Sequence, residues 1–208
     1  MRIVTAQQLE SWLATGRIVE RDARGPKVVQ LSDGRFLKIF HTRRAAMLAR
    51  LFPPALRFAR NAELLKQQGI AAPHVSEAFW LDDQKGLSAC LYEPLEGCSL
   101  EQILKQDPEQ LERILPELAR FIAQLHAKRI YFRSLHLGNI LWLSKGEFGL
   151  IDFLDLRRKR LPLSGWHAQR NFRHLEGYLQ RRKINNFPLS TLKGLYWAYA
   201  NNCKTKKN

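Results

Sequence analysis

The apolar pattern of this chain changes period once, and that change constrains the fold more than any other feature. Before about residue 95, apolar residues alternate in short runs bounded by turn residues; after it they recur at helical spacing. The runs 17–21, 27–31 and 35–40 read as strands. Asp22-Ala23-Arg24-Gly25-Pro26 joins the first two, and Ser32-Asp33-Gly34 joins the second pair, where glycine accepts positive φ. Residues 5–15 read as a short helix with Leu9, Trp12 and Leu13 on one face. Residues 43–68 read as helix, interrupted at Pro53-Pro54 and closed by Gly69. The runs 75–81 and 87–95 add two strands around the turn at 82–86. The first half therefore reads β-β-β-α-β-β.

In the second half Ser99 suits the N-cap of a short helix over 100–106, with Glu101 in the first turn where negative charge complements the helix dipole. Asp107-Pro108 opens a longer helix to about residue 128. Its apolar stripe is Leu111, Ile114, Leu115, Leu118, Phe121, Ile122 and Leu125, and Pro116 is expected to kink or divide it. Two short strands follow at 140–143 and 148–153, and two helices at 165–183 and 189–200. The fold class is α+β, with an antiparallel sheet in residues 1–95, a short, mostly helical part in 96–200, and a basic tail at 201–208 that reads as disordered.

Composition excludes several classes. The 208 residues are 45% hydrophobic, enough for a core and unlike a disordered chain. Cys90, Cys98 and Cys203 are odd in number and widely spaced, which argues against a disulfide framework and a structural zinc site. The N-terminus lacks the unbroken apolar core of a signal peptide, and no run reaches membrane-spanning length, which points to the cytoplasm. The net charge of +15 points to an anionic partner, and it concentrates late: Arg157-Arg158-Lys159-Arg160, Arg170, Arg173, Arg181-Arg182-Lys183 and Lys204, Lys206, Lys207. Such charge suits nucleic acid, but no nucleic-acid motif accompanies it.

Four features fall in a suggestive order. Lys38 stands in the strand Phe36-Leu37-Lys38-Ile39-Phe40. Glu63 stands on the helix after that strand. Tyr92-Glu93-Pro94-Leu95-Glu96-Gly97 leads from a strand toward a helix. Then comes Tyr131-Phe132-Arg133-Ser134-Leu135-His136-Leu137-Gly138-Asn139-Ile140-Leu141, followed by Gly149-Leu150-Ile151-Asp152-Phe153.

The last pair resembles the catalytic loop and metal-binding segment of the protein-kinase-like superfamily, in the branch of sugar and aminoglycoside kinases. The resemblance implies a two-lobed fold with a five-stranded antiparallel sheet and one main helix in the first lobe. It implies that Lys38 contacts ATP phosphates, that Glu63 holds Lys38, and that the backbone around Glu93 and Leu95 binds adenine at a lobe-connecting hinge. It implies that Asn139 and Asp152 bind Mg2+, that Arg133 occupies the loop's arginine position, and that Ser134 and His136 face the acceptor. With Asp155-Leu156-Arg157 and the basic stretch at 170–175, the chain over roughly 17–180 resembles the lipopolysaccharide core kinases acting on Kdo or heptose. More closely still, it resembles the toluene-tolerance-type proteins of that group. An anionic glycolipid or membrane surface met by the basic C-terminal half, at the cytoplasmic face of the inner membrane, is the partner this implies.

Three departures matter. Ser134 replaces the catalytic aspartate, and serine is no base near neutral pH; the chain then reads either as a phosphotransferase with another base or as a pseudokinase binding module. His136 and Asp155 are the nearby groups able to take a proton. The phosphate loop at 21–26 carries a single glycine. Phe132 and Leu154 replace a histidine and a glycine of the wider pattern.

Overall fold

The computed structural model describes residues 1–41 and 46–205. The expected helix start at 43–45 and the tail residues 206–208, with Lys206 and Lys207, lie outside the described residues. The chain divides into two compact units, Met1–Leu95 and Glu96–Asn208.

The first unit is built on a five-stranded sheet in the order β1-β2-β3-β5-β4, with antiparallel neighbours throughout. Its strands are β1 (Arg17–Asp22), β2 (Gly25–Gln30), β3 (Phe36–Phe40), β4 (His74–Asp82) and β5 (Leu87–Glu93). Side chains alternate across a strand, so β3 offers Leu37 and Ile39 to one face and Lys38 and Phe40 to the other. Leu37, Ile39, Val29, Phe79 and Leu91 form a core covered by Leu9, Trp12 and Leu13 of α1 (Ala6–Thr15). The opposite face meets α3 (Pro54–Gln67), where Phe58 packs against Phe40 and Tyr92 with ring centroids 5.6 and 6.2 Å apart. Pro53 cannot cap α3 with a side chain; Ser88 Oγ, wholly buried on β5, accepts from the Ala55 N–H at 3.3 Å instead. A short α2 (Ala46–Leu51) precedes it.

The second unit is mostly helical. Ser99 and Gln102 form a reciprocal capping box at the start of α4 (Leu100–Gln106). α5 (Pro108–Ala127) buries every residue of the stripe read from the sequence. Pro116 does not divide α5, which is one continuous helix, because burial along the stripe outweighs the single backbone donor that proline removes. The strands β8 (Ile140–Trp142) and β9 (Phe148–Leu150) form the expected hairpin, extended by β6 (Cys98–Ser99). A separate pair joins β7 (Ile130–Tyr131) to β10 (Arg157–Arg158), bracketing the loop between them. α6 (Gly165–Arg182) and α7 (Leu189–Thr205) close the unit. α7 continues through Thr205, so the first residues of the supposedly disordered tail are helical. Among the described residues no helix is long and apolar enough to cross a membrane.

Candidate active site

The loop between β7 and β8 gathers most of the residues singled out by sequence. Arg133 is exposed, Ser134 half-buried and Asn139 buried. Ser134 Oγ donates to Asp155 Oδ2 at 2.7 Å, and Arg133 Nε approaches the same oxygen at 3.3 Å. A carboxylate therefore lies one hydrogen bond behind the position where the motif lacks one. The other oxygen, Asp155 Oδ1, is buried without a hydrogen-bond partner among the described residues.

Asn139 is oriented from within the loop. Its Nδ2 donates to the Ser134 carbonyl at 3.0 Å and to His136 Nε2 at 3.2 Å. With the amide nitrogen engaged, the amide oxygen is the end left to meet a cation. The Asn139 carbonyl accepts from the Ile151 N–H at 3.0 Å, which sets Asp152 beside the loop. Asp152 adopts φ of 50°, a left-handed conformation that aspartate tolerates better than most residues and that recurs at functional positions. Among the described residues no three His, Cys, Asp or Glu side chains cluster as a metal site. Asn139 and Asp152 would thus be two oxygen ligands, an arrangement that suits Mg2+ sharing phosphate oxygens and water.

His136 is held by contacts to Tyr178 and Asn139. Its ring stacks on Tyr178, with centroids 4.1 Å apart and planes 6° from parallel, and its Nε2 is taken by Asn139. Burial lowers its pKa against the pull of Asp152, Glu101 and Asp155, so it is neutral near pH 7. Its Nε2 accepts from the Asn139 amide and so helps hold that side chain.

Beneath it lies a cluster that sequence reasoning missed. Glu101 stands in the first turn of α4, as the sequence suggests, and it is also buried and accepts from Tyr178 of α6, from Lys105 Nζ at 2.7 Å and from Arg182 at 3.1 and 3.3 Å. Burial pushes its carboxyl up, but these donors more than offset that and hold it near about 2. Its stabilising contribution is complete above the usual carboxyl value of 4.5 and is lost as pH falls through about 2. Lys105 and Arg182 are mostly solvated, which weakens their ion pairs, whereas Tyr178 is buried. Glu101→Gln should cost roughly 2–3 kcal/mol in urea denaturation at pH 7, and progressively less toward pH 2. An unchanged midpoint at pH 7 would show that the cluster holds nothing. The pairing of Glu101 and Tyr178 spans 77 residues, so no local pattern could reveal it.

In the first unit, Lys38 lies on the α3 face of β3 with Nζ 5.5 Å from the Phe58 ring centre. Glu63 does not pair with it. The sheet-facing stripe of α3 is Ala55, Phe58, Asn61, Ala62 and Leu65, and Glu63 falls outside it, exposed, accepting from Gln67 at 3.0 Å. Asn61, one turn beyond Phe58, is the buried polar residue of that stripe. Glu93 ends β5, opposite His74, and Leu95 ends the unit; Glu93 is exposed and Leu95 half-buried.

The family model of the phosphotransferase enzyme family (APH) matches residues 17–130. The chain belongs to that family. The match runs from the first strand of the sheet to the residue before Tyr131, so it covers Lys38, Glu63 and the segment at 92–97. In this chain the loop at 131–141 follows where the match stops, and its likeness to a catalytic loop rests on its own residues and contacts. No curated protein matches the chain. The family points to a kinase-like phosphotransfer chemistry, for which ATP and Mg2+ are the general requirements.

Proposed function

We propose that this phosphotransferase moves the γ-phosphoryl group of ATP to a hydroxyl of an anionic, lipid-linked sugar of the lipopolysaccharide-core type, and that Asp155 supplies the carboxylate missing at position 134. The observation that carries this reading is the 2.7 Å bond from Ser134 Oγ to Asp155. The acceptor hydroxyl gives its proton to Ser134 Oγ while Ser134 passes its own proton to Asp155 Oδ2. The acceptor oxygen bonds to the γ-phosphorus, the bond from that phosphorus to the bridging oxygen breaks, and ADP leaves. Asp155 then releases its proton to water. Serine serves as a relay here and need not be a base itself.

Mg2+, when bound, neutralises phosphate charge that would otherwise oppose the transfer. Asn139 and Asp152 would hold it, Lys38 would contact the phosphates, and the backbone near Glu93 and Leu95 the adenine. Arg133, beside Ser134, and the exposed Arg170 and Arg173 of α6 would attract the anionic groups of the acceptor. This acceptor would be met at the cytoplasmic face of a membrane.

The test is thermal stability in Mg-ATP, followed by transfer of labelled phosphate to core glycolipid. Nucleotide at about 100 times its Kd should stabilise the wild type by about 2.7 kcal/mol, and Asp152→Asn and Asn139→Ala should lose most of that. No stabilisation of the wild type would sink the reading. Stabilisation without transfer would favour a pseudokinase, a nucleotide-binding module in which Ser134 has ended catalysis.

A further inference from the structure

α2 is built the wrong way round for water. Its small residue Ala49 is 2% exposed, while Met47, Leu48, Leu51 and the following Phe52 are 69, 46, 64 and 68% exposed. The inner side rests on the turn between β4 and β5. A Cβ on Gly86 would come within 2.6 Å of Ala49 Cβ, and Gly86 has φ of +67°, so glycine is what lets the helix sit this close. The short helix is thus seated firmly by its alanines, and its Met47, Leu48 and Leu51 with the following Phe52 form one outward face. Isolated exposed apolar residues are ordinary, but a contiguous face marks a contact surface.

Charge identifies what covers it. Residues 41–62 contain five arginines, Arg43, Arg44, Arg50, Arg57 and Arg60, and no aspartate or glutamate. The adjoining turn carries Asp82 and Asp83, of which Asp82 is paired with Lys85 at 3.1 Å. An apolar face set in basic sequence fits the headgroup boundary of an anionic bilayer, where burial of bulky side chains and attraction to acidic lipid act together. We propose that α2 docks the protein on an anionic lipid surface through Met47, Leu48, Leu51 and Phe52. This contact belongs to the first unit, apart from the basic C-terminal half to which the sequence pointed, and it requires no catalytic step.

Flotation of the whole chain with phosphatidylcholine vesicles, with and without phosphatidylglycerol, tests it. The wild type should float with the anionic vesicles and stay behind with the neutral ones. Leu51→Gln combined with Phe52→Gln should weaken that binding at least about tenfold. Both sites are exposed, so the melting temperature without vesicles should be unchanged. Failure of the wild type to bind anionic vesicles would overturn the proposal, as would undiminished binding by the double variant. Leu161 and Trp166 are exposed apolar residues of the second unit; binding that survives in the double variant but is lost on Leu161→Gln with Trp166→Gln would place the contact there and equally overturn the proposal. So would a wild-type dimer that ignores vesicles and dissociates in L51Q/F52Q, since the face would then belong to a second copy. Mg-ATP stabilisation, measured in parallel, reports on the phosphotransferase reading by itself.

Discussion

Asp155→Asn should slow phosphoryl transfer by a factor of about 10²–10⁴ while leaving the stabilisation by Mg-ATP intact. The asparagine is isosteric and can still accept from Ser134 Oγ, so the loop keeps its shape. What it loses is the capacity to take the proton that Ser134 passes on. Arg133 also loses a partner, but that side chain is 58% exposed and the ion pair contributes little to folding. The decisive variant moves the carboxylate: Ser134→Asp in the Asp155→Asn background should recover most of the lost rate, because a carboxylate again stands within reach of the acceptor hydroxyl. A purely structural Asp155 predicts no such recovery. Full activity of Asp155→Asn would remove the relay and leave the family assignment standing. Activity that appears only with Ser134→Asp, from an inactive wild type, would mean that Asp155 does not compensate at all.

His126→Leu should be the most destabilising change in the second unit, by about 3 kcal/mol or more. His126 Nδ1 lies 2.8 Å from Tyr196 Oη and Nε2 3.0 Å from Asn171 Oδ1, and Asn171 Nδ2 donates to the Phe132 carbonyl at 2.7 Å. The Asn171 amide must present its oxygen to the imidazole, so Nε2 carries the proton and Nδ1 accepts from Tyr196. The bonds joining Tyr196, His126, Asn171 and the Phe132 carbonyl all form when His126 is neutral, and leucine would strand two buried groups at roughly 1–3 kcal/mol each. Burial lowers the His126 pKa from 6.5 to about 4, offset in part by the Asn171 bond. The unfolded chain takes up this proton as pH falls below 6.5, the folded one only near 4. Stability is therefore complete above 6.5, drains between the two values, and is reduced by roughly 3 kcal/mol below the lower one. Urea denaturation between pH 7.5 and 4 should show this slope, less steep in His126→Gln, which cannot titrate. An equal slope in both proteins would assign the acid sensitivity elsewhere.

What the sequence disclosed was what local spacing can carry. The stripe of α5 was readable because seven apolar residues recur at helical intervals and all are buried. The β8–β9 hairpin was readable from the two short apolar runs at 140–143 and 148–153, which lie one after the other. β6, β7 and β10 have two residues each, too few to show a period. Glu63 misled because one step along a helix turns a side chain by about 100°, and the stripe through Phe58 and Ala62 excludes it. Ser134 was legible as a defect, with His136 and Asp155 as the nearby groups able to take a proton; which of the two Ser134 touches was not, because the contact with Asp155 crosses 21 residues. Glu101, Tyr178, His126, Asn171 and Tyr196 form their bonds across 45 to 77 residues, where no periodicity points.

The bond between Tyr196 and His126 also orders events during synthesis. The five strands of the first sheet are complete once residue 93 has been made. The loop at 131–141 is translated soon after, yet the histidine that supports it through Asn171 waits for a hydroxyl 70 residues further along the chain. A nascent chain released before Tyr196 would carry every residue proposed to touch nucleotide or acceptor, with the buried histidine behind the loop still short of one bond.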